Sequence, residues 1–142
     1  MIPEEHRTFL EQHRLCIVGY SRKNGPPSLS PTYYYMDGDD ICISTTARRA
    51  KARAVRRDPE ITVCVLGEQM PFPYLTVYGR GSVTEEGAVE AMMSAGEAMT
   101  GKPVPEAARP AIEQRAKDEG RVLLRVTPES FFSTRTVGPK AE

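Results

Sequence analysis

Residues 15–46 read LCIVGYSRKNGPPSLSPTYYYMDGDDICISTT, and the spacing of turns within this stretch decides the fold. The run LCIVGY, residues 15–20, is apolar and rich in strand-forming residues, as a buried strand requires. Asn24-Gly25 is a turn dipeptide that reverses the chain. A second strand is expected over residues 28–36, carrying Tyr33, Tyr34 and Tyr35. Asp37-Gly38-Asp39 then turns the chain tightly into a third strand at residues 41–44. Parallel neighbours need a crossover of about a dozen residues or more, and these links are far shorter. The opening of the chain is therefore an antiparallel meander.

Working outward, residues 3–12 read as a short helix with Phe9 and Leu10 facing inward. After the meander, Ala and Arg favour a helix that begins at an N-cap, Thr45 or Thr46, and stops at Asp58-Pro59. Residues 61–66 make a fourth strand, and the loop 68–73, EQMPFP, leads to a fifth at 74–83. Gly79 and Gly81 within that strand mark a bulge, a sharp bend or a close approach. Helices are expected from Thr84 to about Met99 and over 106–119, followed by a sixth strand at 121–126 and a terminal pairing segment at 130–133. The fold class is α+β, mainly β: an antiparallel barrel with flanking helices at its ends or corners. Residues 1–133 are expected to form one domain and 134–142 a frayed tail.

Composition narrows the partners. The formal net charge of zero does not favour nucleic acid or a membrane surface. No apolar run approaches the roughly 20 residues that span a bilayer, and the charged opening MIPEEHRTFLEQHR is too polar for a signal peptide. Cys16, Cys42 and Cys64 are odd in number and contain no paired spacing, which argues against a disulfide framework or a metal site. These readings place the chain in a reducing cytoplasm.

Charge is nevertheless concentrated. Arg48, Arg49, Lys51, Arg53, Arg56 and Arg57 lie within ten residues that hold no acid before Asp58. A helix N-terminus there would offer free N–H groups, and Ser44, Thr45 and Thr46 add hydroxyls. Arg49 can fork onto phosphate oxygens and Lys51 can supply a point charge, so the set reads as a phosphate cradle. The competing reading is a solvated helix face with Ala47, Ala50 and Ala54 packed inward.

Three pieces of sequence together carry a resemblance: Pro27-Ser28-Leu29-Ser30-Pro31-Thr32, then Ile43-Ser44-Thr45-Thr46, then Arg49-Ala50-Lys51 followed by Arg56-Arg57-Asp58-Pro59. The chain resembles the pyridoxamine 5′-phosphate oxidase-like split-barrel superfamily, and within it the flavin- or deazaflavin-dependent oxidoreductases. The resemblance implies a six-stranded split barrel and a homodimer with its cofactor in the groove between subunits. By position it implies phosphate contacts from Ser44, Thr46, Arg49 and Lys51, and Thr45 joins the cofactor-binding set as a neighbouring hydroxyl. It further implies that the strand Ser30, Pro31 and Thr32 lies along the flavin ring, with Phe72 reaching the ring from the partner. Ala54 departs from the pattern, in which asparagine is common, and removes a polar contact. Physics supports the dimer independently, because a six-stranded barrel is filled by its own side chains and the ring must lie outside it, under a cover.

The cofactor would be F420, with FMN as the alternative, because the surplus of Arg48, Arg53, Arg56 and Arg57 suits a more anionic ligand. The activity implied is hydride transfer between reduced deazaflavin and an unsaturated small molecule. An FMN-dependent oxidoreductase and a carrier without turnover remain as alternatives. Nucleic-acid binding through residues 48–57 is disfavoured by the neutral total and the lack of interleaved aromatics. His6 and His13 read as solvated helix residues rather than a metal or acid/base pair. Any of Tyr33, Tyr34, Tyr35, Tyr74 and Tyr78 could donate a proton.

Overall fold

The computed structural model describes residues 2–134, so the expected tail lies outside the described residues from 135 onward. In chain order the elements are α1 (Glu4–Gln12), β1 (Leu15–Tyr20), β2 (Ser28–Tyr33), β3 (Tyr35–Asp37), β4 (Asp40–Thr46) and α2 (Ala50–Arg57). They continue with β5 (Glu60–Leu66), β6 (Tyr74–Thr84), α3 (Ala88–Thr100), a 3₁₀ turn (Glu106–Ala108), α4 (Arg109–Glu119) and β7 (Arg121–Ser133).

All pairings are antiparallel, in the order β2-β1-β5-β6-β7-β4-β3. The two ends of this sheet, β2 and β3, are consecutive in the chain. They are the halves of one bent stretch, so the sheet curls round until its ends meet in a half-open barrel. The bend falls at Tyr34, whose N–H donates to the Arg14 carbonyl at 2.9 Å and whose hydroxyl donates to the Leu10 carbonyl at 2.6 Å. That bend is why the expected second strand is observed as two, giving seven strands instead of six.

The interior is filled from the inward rows of the strands, including Val18, Ile41, Ile43, Val63, Val77 and Leu124. From α2, Ala54 and Val55 close one end of this core. The helix reaches it because Gly81 has no side chain: a Cβ there would stand 2.8 Å from Val55 Cγ1. Gly79 serves a second close approach, since its Cβ would lie 2.5 Å from the Thr127 carbonyl oxygen, at the point where the β6–β7 register shifts. Pro128, which has no N–H for a ladder, pairs at that irregularity. The segments expected at 121–126 and 130–133 are consequently one strand.

Two helix starts differ from expectation for the same reason. Thr45 and Thr46 do not cap α2; they remain in β4, opposite Val122 and Arg121, and the Ala47 N–H donates to the Gly120 carbonyl at 2.9 Å. Pairing with β7 outweighs the local capping preference, and α2 begins only at Ala50. Its buried side is therefore Lys51, Ala52, Ala54 and Val55 rather than Ala47, Ala50 and Ala54. Likewise Thr84 ends β6 opposite Leu123, and α3 starts after Gly87, whose φ of 83° sets the turn.

Candidate functional site

The alternation of β4 sorts the expected hydroxyls onto two sides. Ile41 and Ile43 point into the barrel core, so Thr45 follows on the inner side. Cys42 packs with Ala91 and Leu123 on the other side, beneath α3, and Ser44 and Thr46 share that side. On β2, Ser30 pairs with Val18 and Thr32 with Cys16, both core residues, so Ser30 and Thr32 face inward while Pro31 is exposed outside. β2 and β4 approach each other without forming a ladder, and this seam is where the barrel is split.

Lys51, in the first turn of α2, is only 9% exposed. Burial lowers its pKa, and the neighbouring Arg49 charge lowers it further. Its charge reaches Cys16, whose thiol is pushed up to about 12 by burial against the opposing pull of Lys51. Arg49 precedes α2 and is exposed. Three oxygens are buried without a hydrogen-bond partner: Ser30 Oγ, Ser44 Oγ and Thr45 Oγ1, with Thr45 itself 3% exposed. Among the described residues, neither Lys51 nor Arg49 has a carboxylate partner, whereas Arg115 and Arg121 each have one and Arg7, Arg109 and Arg125 each have two.

Buried polar groups are nearly always satisfied, and a buried cation without a counter-charge is costly. A set of cations and hydroxyls without a carboxylate fits an anion, towards which each hydroxyl can donate. The structure thus brings Ser30, Thr32 and Thr45 to the inner side of the seam, with Lys51 close to the Cys16 that pairs with Thr32. It places Ser44 and Thr46 on the opposite side of β4, and it separates all the hydroxyls from the helix N-terminus by residues 47–49.

Phe72 lies in the loop after β5, at the opposite end of that strand from Glu60, where α2 enters. It is 57% exposed, with φ of 58°, and its N–H donates to the Gln69 carbonyl at 2.8 Å. Within one chain it does not join the other candidates. Of the tyrosines, Tyr34 is committed to the bend and Tyr35 is half-buried; burial raises the pKa of both hydroxyls. His6 meets Ser133 Oγ at 3.3 Å and His13 Nδ1 meets the Phe9 carbonyl at 2.7 Å, so both serve α1. Ala54 packs in the core.

The outer side of β1, β2, β5, β6 and β7 is an open apolar face. Leu29, at 73% exposure, and Phe132, at 56%, stand on it with Leu15, Leu66 and Tyr78. A groove of about 760 Å³ crosses this face over Gly19, Thr62 and Tyr78. No helix among the described residues is long and apolar enough to cross a membrane.

Solved structures share this architecture. A conserved hypothetical protein of Mycobacterium tuberculosis, Rv2991, superposes with a TM-score of 0.81 at 23% identity, covering 100% of this chain and 92% of its own. An F420 reductase does so with a TM-score of 0.73 at 22% identity, covering 92% of this chain and 98% of its own. A FAD-binding protein from Mesorhizobium loti has a TM-score of 0.65 at 16% identity, covering 94% of this chain and 93% of its own. No curated protein sequence matches the chain. These likenesses speak for the barrel; the sequence itself matches the profile of the pyridoxamine 5′-phosphate oxidase family over residues 2–135, and to that family the chain belongs.

Proposed function

We propose that this protein is an oxidoreductase that holds F420 between two copies of itself and serves hydride transfer between the reduced deazaflavin and an unsaturated small molecule. The observation that carries the reading is Lys51: a lysine nine-tenths buried, without a carboxylate partner among the described residues, in a chain whose charges balance. A phosphate group would supply the missing counter-charge. Lys51 and Arg49 would bind it through charge-assisted hydrogen bonds, with a hydroxyl from β4 beside them: Thr45 on the inner side of that strand, or Ser44 and Thr46 on the other. The backbone of Ser30, Pro31 and Thr32 sets the plane along which the ring lies. Bound there, the deazaflavin supplies the hydride chemistry, and the chain's part is to orient it and to exclude water.

The outer sheet face supports the dimer. Leu29, Tyr78 and Phe132 leave an apolar surface that a second copy would cover, and the partner subunit's Phe72 would then close over the ring. Cys16, Cys42 and Cys64 are free thiols, which suits a reducing cytoplasm. Choosing F420 over FMN rests on Arg48, Arg53, Arg56 and Arg57, all exposed and without carboxylate partners among the described residues. FMN is the second reading because its single phosphate would also supply the counter-charge that Lys51 and Arg49 lack.

Titration of the purified protein with F420 and with FMN, followed by mixing with reduced F420 and a panel of conjugated acceptors, tests the proposal. Tighter binding of F420 and acceptor-dependent oxidation are expected. Tight binding without oxidation would make the protein a carrier. Absence of binding to either cofactor would end the reading.

A further inference from the structure

The C-terminal end of α1, the bend at Tyr34 and the last turns of α3 enclose a pocket of about 380 Å³. Sites for small molecules run from about 300 to 1,000 Å³. Leu10, Tyr34, Tyr35, Met36 and Ala98 give it apolar walls, and none of the cradle residues lines it. Its charged groups are Arg14, Glu11 and Glu97, with His13 beside them. Arg14 lies along Gly101, the C-cap of α3 with φ of 76°, where a Cβ would stand 3.1 Å from Arg14 Nη1. Glu97 is one turn back, its backbone carbonyl accepting from the Gly101 N–H at 2.7 Å. Arg14 and Glu97 thus line one pocket with opposite charges, yet among the described residues no ion pair or hydrogen bond joins their side chains. Glu11 has only a long contact of 3.8 Å, to Arg7. His13 Nδ1 faces the Phe9 carbonyl at 2.7 Å, and a carbonyl only accepts, so in the neutral ring Nδ1 carries the proton and Nε2 is left as an acceptor.

We propose that this pocket binds a small zwitterion, an α-amino acid with an apolar side chain. Its carboxylate takes the planar fork of Arg14. Its ammonium group lies towards Glu97 and Glu11, with His13 Nε2 as a further acceptor. Its side chain rests on Tyr35, Met36 and Ala98. A ligand with one charge fits less well. A plain anion would meet two carboxylates, and a plain cation would meet Arg14, so each wrong class is opposed by a like charge. The pocket also borders the residues that fix the bend, because Leu10 and Arg14 lend their carbonyls to Tyr34. A bound molecule therefore braces the link between β2 and β3. This site does not depend on the Lys51 reading and stands or falls apart from it.

The test is a ligand-observed NMR titration of the purified protein with L-leucine, L-methionine and L-phenylalanine, alongside the amide and the N-acetyl derivative of each. At least one free amino acid should bind and raise the melting temperature. Loss of either charge from that ligand should weaken binding about tenfold, the lower end for a charge-assisted hydrogen bond because the pocket is open to solvent. In Arg14→Gln the amide should bind about as well as the amino acid. In the double variant Glu11→Gln/Glu97→Gln the N-acetyl derivative should do so. Each comparison sets two ligands against one protein, so a partial loss of folded material leaves the ratio unchanged. A wild type that binds none of the three amino acids, or that binds the amides and N-acetyl derivatives as tightly as their parents, would overturn the proposal. Variants that keep the wild-type ratios would overturn it as well.

Discussion

Replacing Lys51 by methionine should move stability and affinity in opposite directions. The methionine keeps an unbranched stem of similar length and removes the ammonium group. The residue is 9% exposed, its ammonium group feels the like charge of Arg49, and it has no carboxylate partner among the described residues. Burying an uncompensated polar group costs about 1–3 kcal/mol in mutational series, so the variant should be more stable by a figure of that order. For a chain of this size that corresponds to a melting point higher by about 4 °C for each kcal/mol. The same ammonium group would bind the anion, and a hydrogen bond to a charged group is worth about 1.5–3 kcal/mol. Affinity for FMN or F420 should therefore fall roughly ten- to a hundredfold.

The titration of Lys51 adds a sign. Its folded pKa lies below that of the unfolded chain, so between the two values the unfolded state binds more protons and stability rises with pH. Cofactor affinity should fall over the same alkaline window, because the anion needs the charged form. Denaturation and calorimetric titration across that window measure both. Lys51→Met that melts below the wild type and binds either cofactor equally well would refute the reasoning.

Other outcomes follow from the same geometry. Arg49→Ala should weaken FMN binding about tenfold, the loss of one charge-assisted contact, while Arg57→Ala costs clearly less, read by titration. Gly79→Ala would put a Cβ 2.5 Å from the Thr127 carbonyl oxygen, and denaturant unfolding should show a loss of about 1–3 kcal/mol. Leu29→Asp, which charges the open sheet face, should shift a dimer towards monomer in sedimentation velocity and weaken cofactor binding with it; an unchanged dimer would remove that face as the interface.

The barrel was legible because its turns are local. Gly25 and Gly38 both adopt positive φ, 94° and 59°, where the Asn-Gly and Asp-Gly-Asp signals place turns. The bend at Tyr34 was not legible. Three consecutive tyrosines look alike along the chain, and only the carbonyls of Leu10 and Arg14 single out the middle one. Thr45 and Thr46 misled for a related reason: they are good caps locally, but β7, some 75 residues later, claims them for the sheet. The basic segment was legible as a concentration of charge. The separation of Thr45 from Ser44 and Thr46 depends on the strand face, which a concentration of charge does not reveal.

β7, the last strand among the described residues, lies between β6 and β4 and so fills a slot inside the sheet. While the ribosome is still making it, the facing edges of β6 and β4 stand unpaired. Completion must wait for residues 121–133 to emerge, and the nascent chain meanwhile presents sticky strand borders to its neighbours. Removing that strand should yield insoluble protein, not a smaller barrel.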